Sequence, residues 1–341
     1  MNYYYRIIFV SVMFFLQGFT TVNSQCVDTA HQWEKYKLWY LADEGRVIDN
    51  ANQRISHSEG QGYAMLMAVF FDDNEAFSRL WDWTQKNLTV PGTVLLAWKW
   101  QPRPPHTPDK NNAIDGDILI AWALLRASRK WGNSRYLDDS TKIIHHIAET
   151  QIRIVDGDTI LLPGNNGFET PESTIVNPAY WIFPAFKEFN SHKKVWDRLI
   201  ISGNNILDKN QYGKSLLPSD WLEFSHGEWK PAKKFETIFG YSNYRIPLYL
   251  SWSGQSHPIN KKYLNWLMSE DAAWVDIKTG RKASYQPPIG AYAISELVQS
   301  TLNKSSNIAK KGIRKQVQGD NYYSDSLTLL SHIAYQERFC R

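Results

Sequence analysis

The sequence predicts an all-α protein, a toroid of helical hairpins, on three observations. Apolar residues recur at helical spacing in one segment after another, while period-two alternation is scarce. The segments number roughly twelve, enough for a closed ring. Some are apolar around nearly their whole circumference and others carry a single stripe, which puts the first inside the ring and the second outside. Periodicity alone fits an irregular helical bundle or a solenoid as well.

Taken in order, the predicted helices cover 30–41, 63–71, 75–88, 117–131, 140–154, 180–189, 195–208, 244–252, 260–268, 291–302 and 325–335, with a weaker basic segment at 308–317. Segment 63–71 and the stretch 118–125 within its helix have almost no polar side, so both belong inside. Segment 75–88 aligns Phe77, Leu80, Trp81 and Leu88 on one side, as an outer helix does. In the basic segment, Lys310, Lys311, Arg314 and Lys315 read as a solvated helix face. Turn chemistry separates the helices at 102–105, 163–167 and 286–290. No linker or composition break divides 25–341, which is expected to be a single domain.

Residues 1–24 read differently. Arg6 is followed by a short apolar run, and Val22-Asn23-Ser24 offers a cleavage site, so the stretch reads as a secretory signal peptide. The run is too short for a comfortable membrane span, and no other segment is apolar enough, so no stable membrane insertion is expected once the signal is removed. The mature protein is expected to be secreted or periplasmic. Its two cysteines, Cys26 and Cys340, stand at opposite ends of the mature chain, where they either pair or remain independent thiols.

Composition narrows the function. Hydrophobic residues at 43% and charged residues at 21% exclude disorder, collagen and coiled coil. A net charge of +4 gives no reason to propose a nucleic-acid partner. The 15 Trp, 18 Tyr and 15 Phe imply an aromatic core, or flat faces shown to something that stacks on them. Walker, dinucleotide, HExxH, EF-hand and Gly-x-Ser-x-Gly patterns are all absent, so no cofactor and no metal are expected.

Three constellations could carry chemistry. In Ser56-His57-Ser58-Glu59-Gly60-Gln61-Gly62-Tyr63, a carboxylate stands beside Gly60 and Gly62, where a bulky ligand can approach the backbone, just before an apolar helix. The alternative is a helix start capped by Ser58 or the glycines, with Glu59 at the dipole end. In Asp115-Gly116-Asp117, capping accounts for one acid, but a second on a helix with so little polar surface needs another explanation. In Tyr241-Ser242-Asn243-Tyr244-Arg245, Tyr241 and Arg245 share a face if the segment is helical. Carboxylates near Trp98, Trp100, Tyr180, Trp181 and Trp221 would suit a neutral sugar polymer, stacked on rings and cut by an acid and a base.

These constellations, in this order, resemble glycoside hydrolase family 8, including its secreted endoglucanases encoded alongside bacterial cellulose synthase. The likeness also runs through 45–49, 81–88, 161–164, Asn177-Pro178-Ala179-Tyr180 and Pro218-Ser219-Asp220-Trp221. It implies an (α/α)6 barrel with a cleft for β-1,4-glucan, and a partner role with the cellulose synthase assembly. It implies Glu59 as general acid, with Asp115 holding the sugar and stabilising charge as the bond breaks. It implies Trp98, Trp100, Tyr180, Tyr241 and Arg245 as substrate-binding residues, and inversion at the anomeric carbon, which requires a separate base. Many family members carry Tyr-Asp-Ala-x-Arg where this chain has Tyr241-Ser242-Asn243-Tyr244-Arg245, so Ser242 replaces the usual base. Glu223, Asp220, Glu172 and Asp115 are the candidates for that role. Without a base, the alternative is a glucan-binding protein that scarcely cleaves; a change of substrate to chitosan, xylan or mixed-linkage glucan is the other.

Overall fold

The computed structural model describes Cys26, residues 28–303 and residues 312–340. The signal-peptide reading of 1–24 lies outside these residues. Eleven α-helices occur among them: α1 (Ala30–Tyr40), α2 (Ser58–Phe70), α3 (Asn74–Leu88), α4 (Ile114–Trp131), α5 (Ser134–Thr150), α6 (Phe183–Phe189), α7 (Val195–Lys209), α8 (Arg245–Trp252), α9 (Pro258–Glu270), α10 (Ile289–Leu302) and α11 (Tyr322–Phe339).

The ring closes through six of them. Helix α2 packs on α4, α4 on α6, α6 on α8, α8 on α10, α10 on α11, and α11 back on α2. These inner helices are buried along almost their whole length, as an apolar circumference requires. Helices α3, α5 and α7 bury one stripe each and stand outside α2, α4 and α6, while α1 lies against α11 and α9 against α8 and α10. One hydrophobic cluster runs through both layers. It absorbs much of the aromatic content: Trp33, Trp122, Trp181 and Trp196 are fully buried. Local signals end the helices where the chain must turn. Asp73 caps α3 and Asn321 caps α11 through their side chains, and α4 stops at Gly132, whose φ of +67° suits glycine.

Three expectations need correction. The outer helix predicted at 140–154 runs from Ser134 to Thr150, because Asn133 caps it and the chain then enters a strand. Of the basic segment, the described residues 312–317 are irregular and not helical. This is the place between α10 and α11 where a sixth outer helix would complete the double ring. Arg314 bonds Glu296 on α10 at 3.0 Å while staying largely exposed, and the Lys315 ammonium sits 5.4 Å from the Tyr292 ring, so these two cations stand on an irregular stretch and not on a helix face, while Lys310 and Lys311 lie outside the described residues. Finally, short strands decorate the ring. β1 (Ser56–His57) pairs with β2 (Lys99–Trp100), β3 (Ile152–Val155) with β4 (Asp158–Leu161), β5 (Ser173–Val176) with β6 (Leu222–Ser225) and β6 with β7 (Glu228–Pro231), and β8 (Ile238–Phe239) with β9 (Val275–Asp276). All are antiparallel pairs of two to four residues, too brief to produce a readable alternation.

Cys26 and Cys340 are joined by a disulfide that ties the start of the described chain to the end of α11. No helix among the described residues is long and apolar enough to cross a membrane.

Candidate active site

The first turns of three inner helices bring the chemistry together. Glu59 is the second residue of α2, Asp115 the second of α4, and Arg245 the first of α8. Two glycines let the first pair meet. A Cβ on Gly62 would lie 2.5 Å from Leu119 Cβ, and one on Gly116 would lie 2.1 Å from Ser58 Oγ and 2.8 Å from the Glu59 amide nitrogen. Gly62 therefore serves helix packing, not ligand approach, and a Cβ on Gly60 would likewise meet the Tyr322 hydroxyl, at 2.5 Å. The cap of α2 is neither Ser58 nor a glycine: His57 Nδ1 accepts from the Gly60 amide at 3.3 Å.

Glu59 does not cap its helix. Its Oε1 accepts from the Tyr63 hydroxyl at 2.7 Å and from Arg245 Nη1. The same Nη1 donates to Asp115 Oδ2 at 2.6 Å. One guanidinium thus joins the two carboxylates. Glu59 Oε2 is left without a hydrogen bond among the described residues, with His57 Nδ1 4.0 Å away. Burial is steep across the cluster: the side chain of Arg245 is 5% exposed, that of Asp115 4%, and that of Glu59 18%. Asp115 is pushed up to about 6, chiefly by burial and further by the Glu59 charge, against the pull of Arg245 and the Gly116 amide.

Asp117 has a different task. It accepts from the Leu96 amide at 2.9 Å and from Asn112 Nδ2 at 2.8 Å, tying α4 to the loop before it. Burial raises its carboxyl to about 7. Capping was too weak an explanation for this second acid, and a buried loop anchor is the sufficient one.

Ser242 sits on the same guanidinium. Arg245 donates through Nε to the Ser242 carbonyl and through Nη2 to its hydroxyl, both at 3.0 Å, and Asn177 Nδ2 reaches that hydroxyl at 3.0 Å. Of the carboxylates considered for the base, Asp220 is buried beside this segment and accepts from the Gly240 amide at 3.1 Å. Burial raises it to about 7, with the Gly240 bond and the Arg245 charge opposing. Glu223 faces Lys230 across β6 and β7 and accepts from the Lys233 amide at 3.5 Å, while Glu172 is exposed in the turn before β5.

Aromatic rings surround the cluster. The Arg245 guanidinium lies 5.4 Å from the Tyr180 ring, which meets Trp221 edge-on at 6.0 Å, and Trp221 is stacked between Phe168 and Phe235. The Tyr241 ring is 39% exposed and neighbours Tyr323, whose hydroxyl donates to the Tyr241 carbonyl. Trp98 donates to Asp109 at 2.7 Å, while Trp100 stacks on His106 and lies under the Arg46 guanidinium. Trp181, by contrast, is a core residue. His57 and Tyr63 belong to the first constellation, but sequence reasoning assigned neither a role; Tyr63 stands one helical turn after Glu59, the spacing that could have identified its contact. Among the described residues, no group of three His, Cys, Asp or Glu side chains could hold a metal ion.

The family model described as glycosyl hydrolases family 8 matches residues 5–337. An endoglucanase of Cellulomonas uda is 37% identical over 273 residues, covering 78% of this chain and 76% of that one. The crystal structure of endoglucanase Cel10, a family 8 glycosyl hydrolase from Klebsiella pneumoniae, is 35% identical with a TM-score of 0.84, covering 90% of this chain and 99% of that one. The endo-β-1,4-glucanase CMCax of Acetobacter xylinum is 30% identical with a TM-score of 0.79, covering 89% of this chain and 97% of that one.

Proposed function

The chain belongs to glycosyl hydrolases family 8, and from that premise we propose that it is an endo-β-1,4-glucanase cutting cellulose or nascent glucan with inversion. The observation that carries this reading is the free Oε2 of Glu59, set beside two partners that hold Oε1. In this reading Glu59 gives its proton to the glycosidic oxygen as the bond breaks. Asp115, across the Arg245 guanidinium, stabilises the positive charge that develops on the sugar ring. Water adds to the anomeric carbon from the opposite face and passes its proton to a base.

Asp220 serves best as that base. It is tied to the Gly240 amide two residues before Ser242, and a carboxyl held near 7 is poised to take a proton at neutral pH. Ser242 lacks that capacity, and its hydroxyl is already engaged by Asn177 and Arg245. Trp98, Trp100, Tyr180 and Tyr241 are the sugar platforms of this reading. The single catalytic domain covers 25–341. The Cys26–Cys340 disulfide supports an oxidising, secreted or periplasmic location, and the family resemblance supports a place beside the cellulose synthase assembly.

Glu59→Gln should abolish reducing-sugar release from carboxymethylcellulose while glucan binding and fold persist. Near-normal release by that variant removes Glu59 from the mechanism. The engaged Ser242 favours one other reading, a glucan-binding protein that scarcely cleaves. Binding by the wild-type protein without reducing-sugar release would establish that reading instead.

A further inference from the structure

Flanking the β1–β2 pair runs a groove of about 670 Å³. Its wall includes Arg54, Trp98, Lys99 and Arg103, with Gln53 and Gln101 between them, and no acidic residue lines it. Among the described residues, Arg54, Lys99 and Arg103 have no carboxylate within ion-pair distance. Lys99 instead stands 4.9 Å over the Trp98 ring. Asp109, the carboxylate that touches Trp98, is turned to the indole N–H and to the Asn111 amide. Three cations thus share one groove with nothing to neutralise them, and like charges left so close repel one another.

The groove is held in shape before any ligand arrives. Gln53 and Arg54 both adopt left-handed backbone, with φ of +51° and +57°. Arg46 pins the Arg54 carbonyl at 3.0 Å, and the Asp49 amide closes on the Ile55 carbonyl at 2.9 Å. Across the groove, Gln101 Nε2 donates to the carbonyls of Arg103 at 3.1 Å and Pro105 at 3.0 Å. Such ordering lowers the entropy lost on binding. The groove is also tied through the backbone to the segment that carries Glu59. Lys99 is the register partner of His57, and the Ser58 amide donates to the Trp98 carbonyl at 3.0 Å, one residue before Glu59.

We propose that this groove receives an anionic substituent carried on the glucan, so that the enzyme takes acid-substituted β-glucan in preference to the neutral polymer. The inference rests on the glucanase reading and adds a substrate class to it. A neutral glucan gives three unpaired cations nothing to bind, whereas a carboxylate on a sugar seated beside Trp98 has Lys99 at hand and the other two cations in the same groove. Attraction of this kind is strongest at low ionic strength and is screened by salt.

The test uses the purified protein with cellohexaose and with C6-oxidised cellohexaose bearing glucuronate rings, reading calorimetric affinity and cleavage rate for each. At about 20 mM salt the oxidised ligand should bind about tenfold tighter, the scale of one charge-assisted contact, and the preference should fade by about 0.5 M salt. In Arg54→Glu/Arg103→Glu the ratio of oxidised to neutral affinity should fall below one. Equal affinity of the wild-type protein for the two ligands at low salt overturns the proposal, as does an unchanged ratio in the variant. Displacement of the oxidised ligand by inorganic phosphate at equal concentration also overturns it, because the groove then binds a free anion. Cleavage of cellohexaose without a charge preference sinks this inference alone, whereas failure to bind or cut either ligand sinks the glucanase reading with it.

Discussion

Arg245→Met removes the cation that holds Glu59 and Asp115 together, and the structure says how its effect should vary with pH. The guanidinium is almost wholly buried, so deleting it strands Asp115 in the interior; breaking a buried pair in this way costs about 3–5 kcal/mol. Part of that loss depends on protonation. Asp115 sits at about 6 in the folded protein against an ordinary 3.8. An acid raised on folding contributes stability that is fully present below its unfolded pKa and lost as pH climbs through the folded one. For the wild-type protein that window runs from about 4 to about 6. Arg245 is one of the influences that lower Asp115, so without it the folded pKa should rise by roughly 1–3 units. The loss then continues above the wild-type window, which adds about 1.4–4 kcal/mol at alkaline pH. Urea unfolding of both proteins at pH about 5 and about 8.5 should show the variant's deficit growing between the two. Adding Asp115→Asn should shrink the growth, because the Glu59 carboxylate is then the one partner of Arg245 left to strand. A deficit that is equal at both values, or smaller at the higher one, refutes the reasoning.

Gly116→Ala should force α2 and α4 apart at their first turns, since its Cβ would sit 2.1 Å from Ser58 Oγ. A thermal melt should show about 1–3 kcal/mol of destabilisation, with a fall in kcat from the displaced Glu59. Reducing the Cys26–Cys340 bond, which spans 314 residues, should destabilise the protein by up to about 5 kcal/mol, and dithiothreitol should not lower the Tm of Cys26→Ser/Cys340→Ser any further. If Asp220 is the base, wild-type kcat on soluble glucan should rise as pH passes about 7, because only the ionised carboxylate accepts a proton. Asp220→Asn should lose that limb and about 10²–10⁴ in rate, with KM little changed; retention of the limb would clear Asp220 of the role.

The double ring was legible because burial state leaves a mark on helical periodicity. A helix surrounded by protein, such as α2 or α4, can be apolar on every side, while one facing water, such as α3, must be striped. The same signal fails where length or context intervenes. The first turn and a half of α5 is Ser134-Arg135-Tyr136-Leu137-Asp138, too polar for the apolar pattern to reach, and only the Asn133 cap announces it. The segment between α10 and α11 has the charge pattern of a surface helix, yet Arg314 and Lys315 spend their side chains on Glu296 and Tyr292, and the described backbone there is irregular. A charge pattern records what a segment can solvate, not what it will pack against.

At the site, residue type was legible and division of labour was not. Glu59, Asp115 and Arg245 could be picked out as two acids and a substrate-binding cation, but they are scattered over nearly two hundred positions, and only the converging first turns of α2, α4 and α8 bring them into one contact. The glycines beside them pointed in the wrong direction. An absent side chain lets any neighbour approach, and here the neighbours are Leu119, Ser58 and Tyr322, not a ligand. That exchange has a chemical consequence. Helix packing at Gly62 and Gly116 sets the distance between two carboxylates, and the distance lets one guanidinium serve both while leaving one Glu59 oxygen unbound. Under the proposed mechanism, packing at the α2–α4 contact is part of the reaction geometry, and substitutions along it should alter turnover as well as stability.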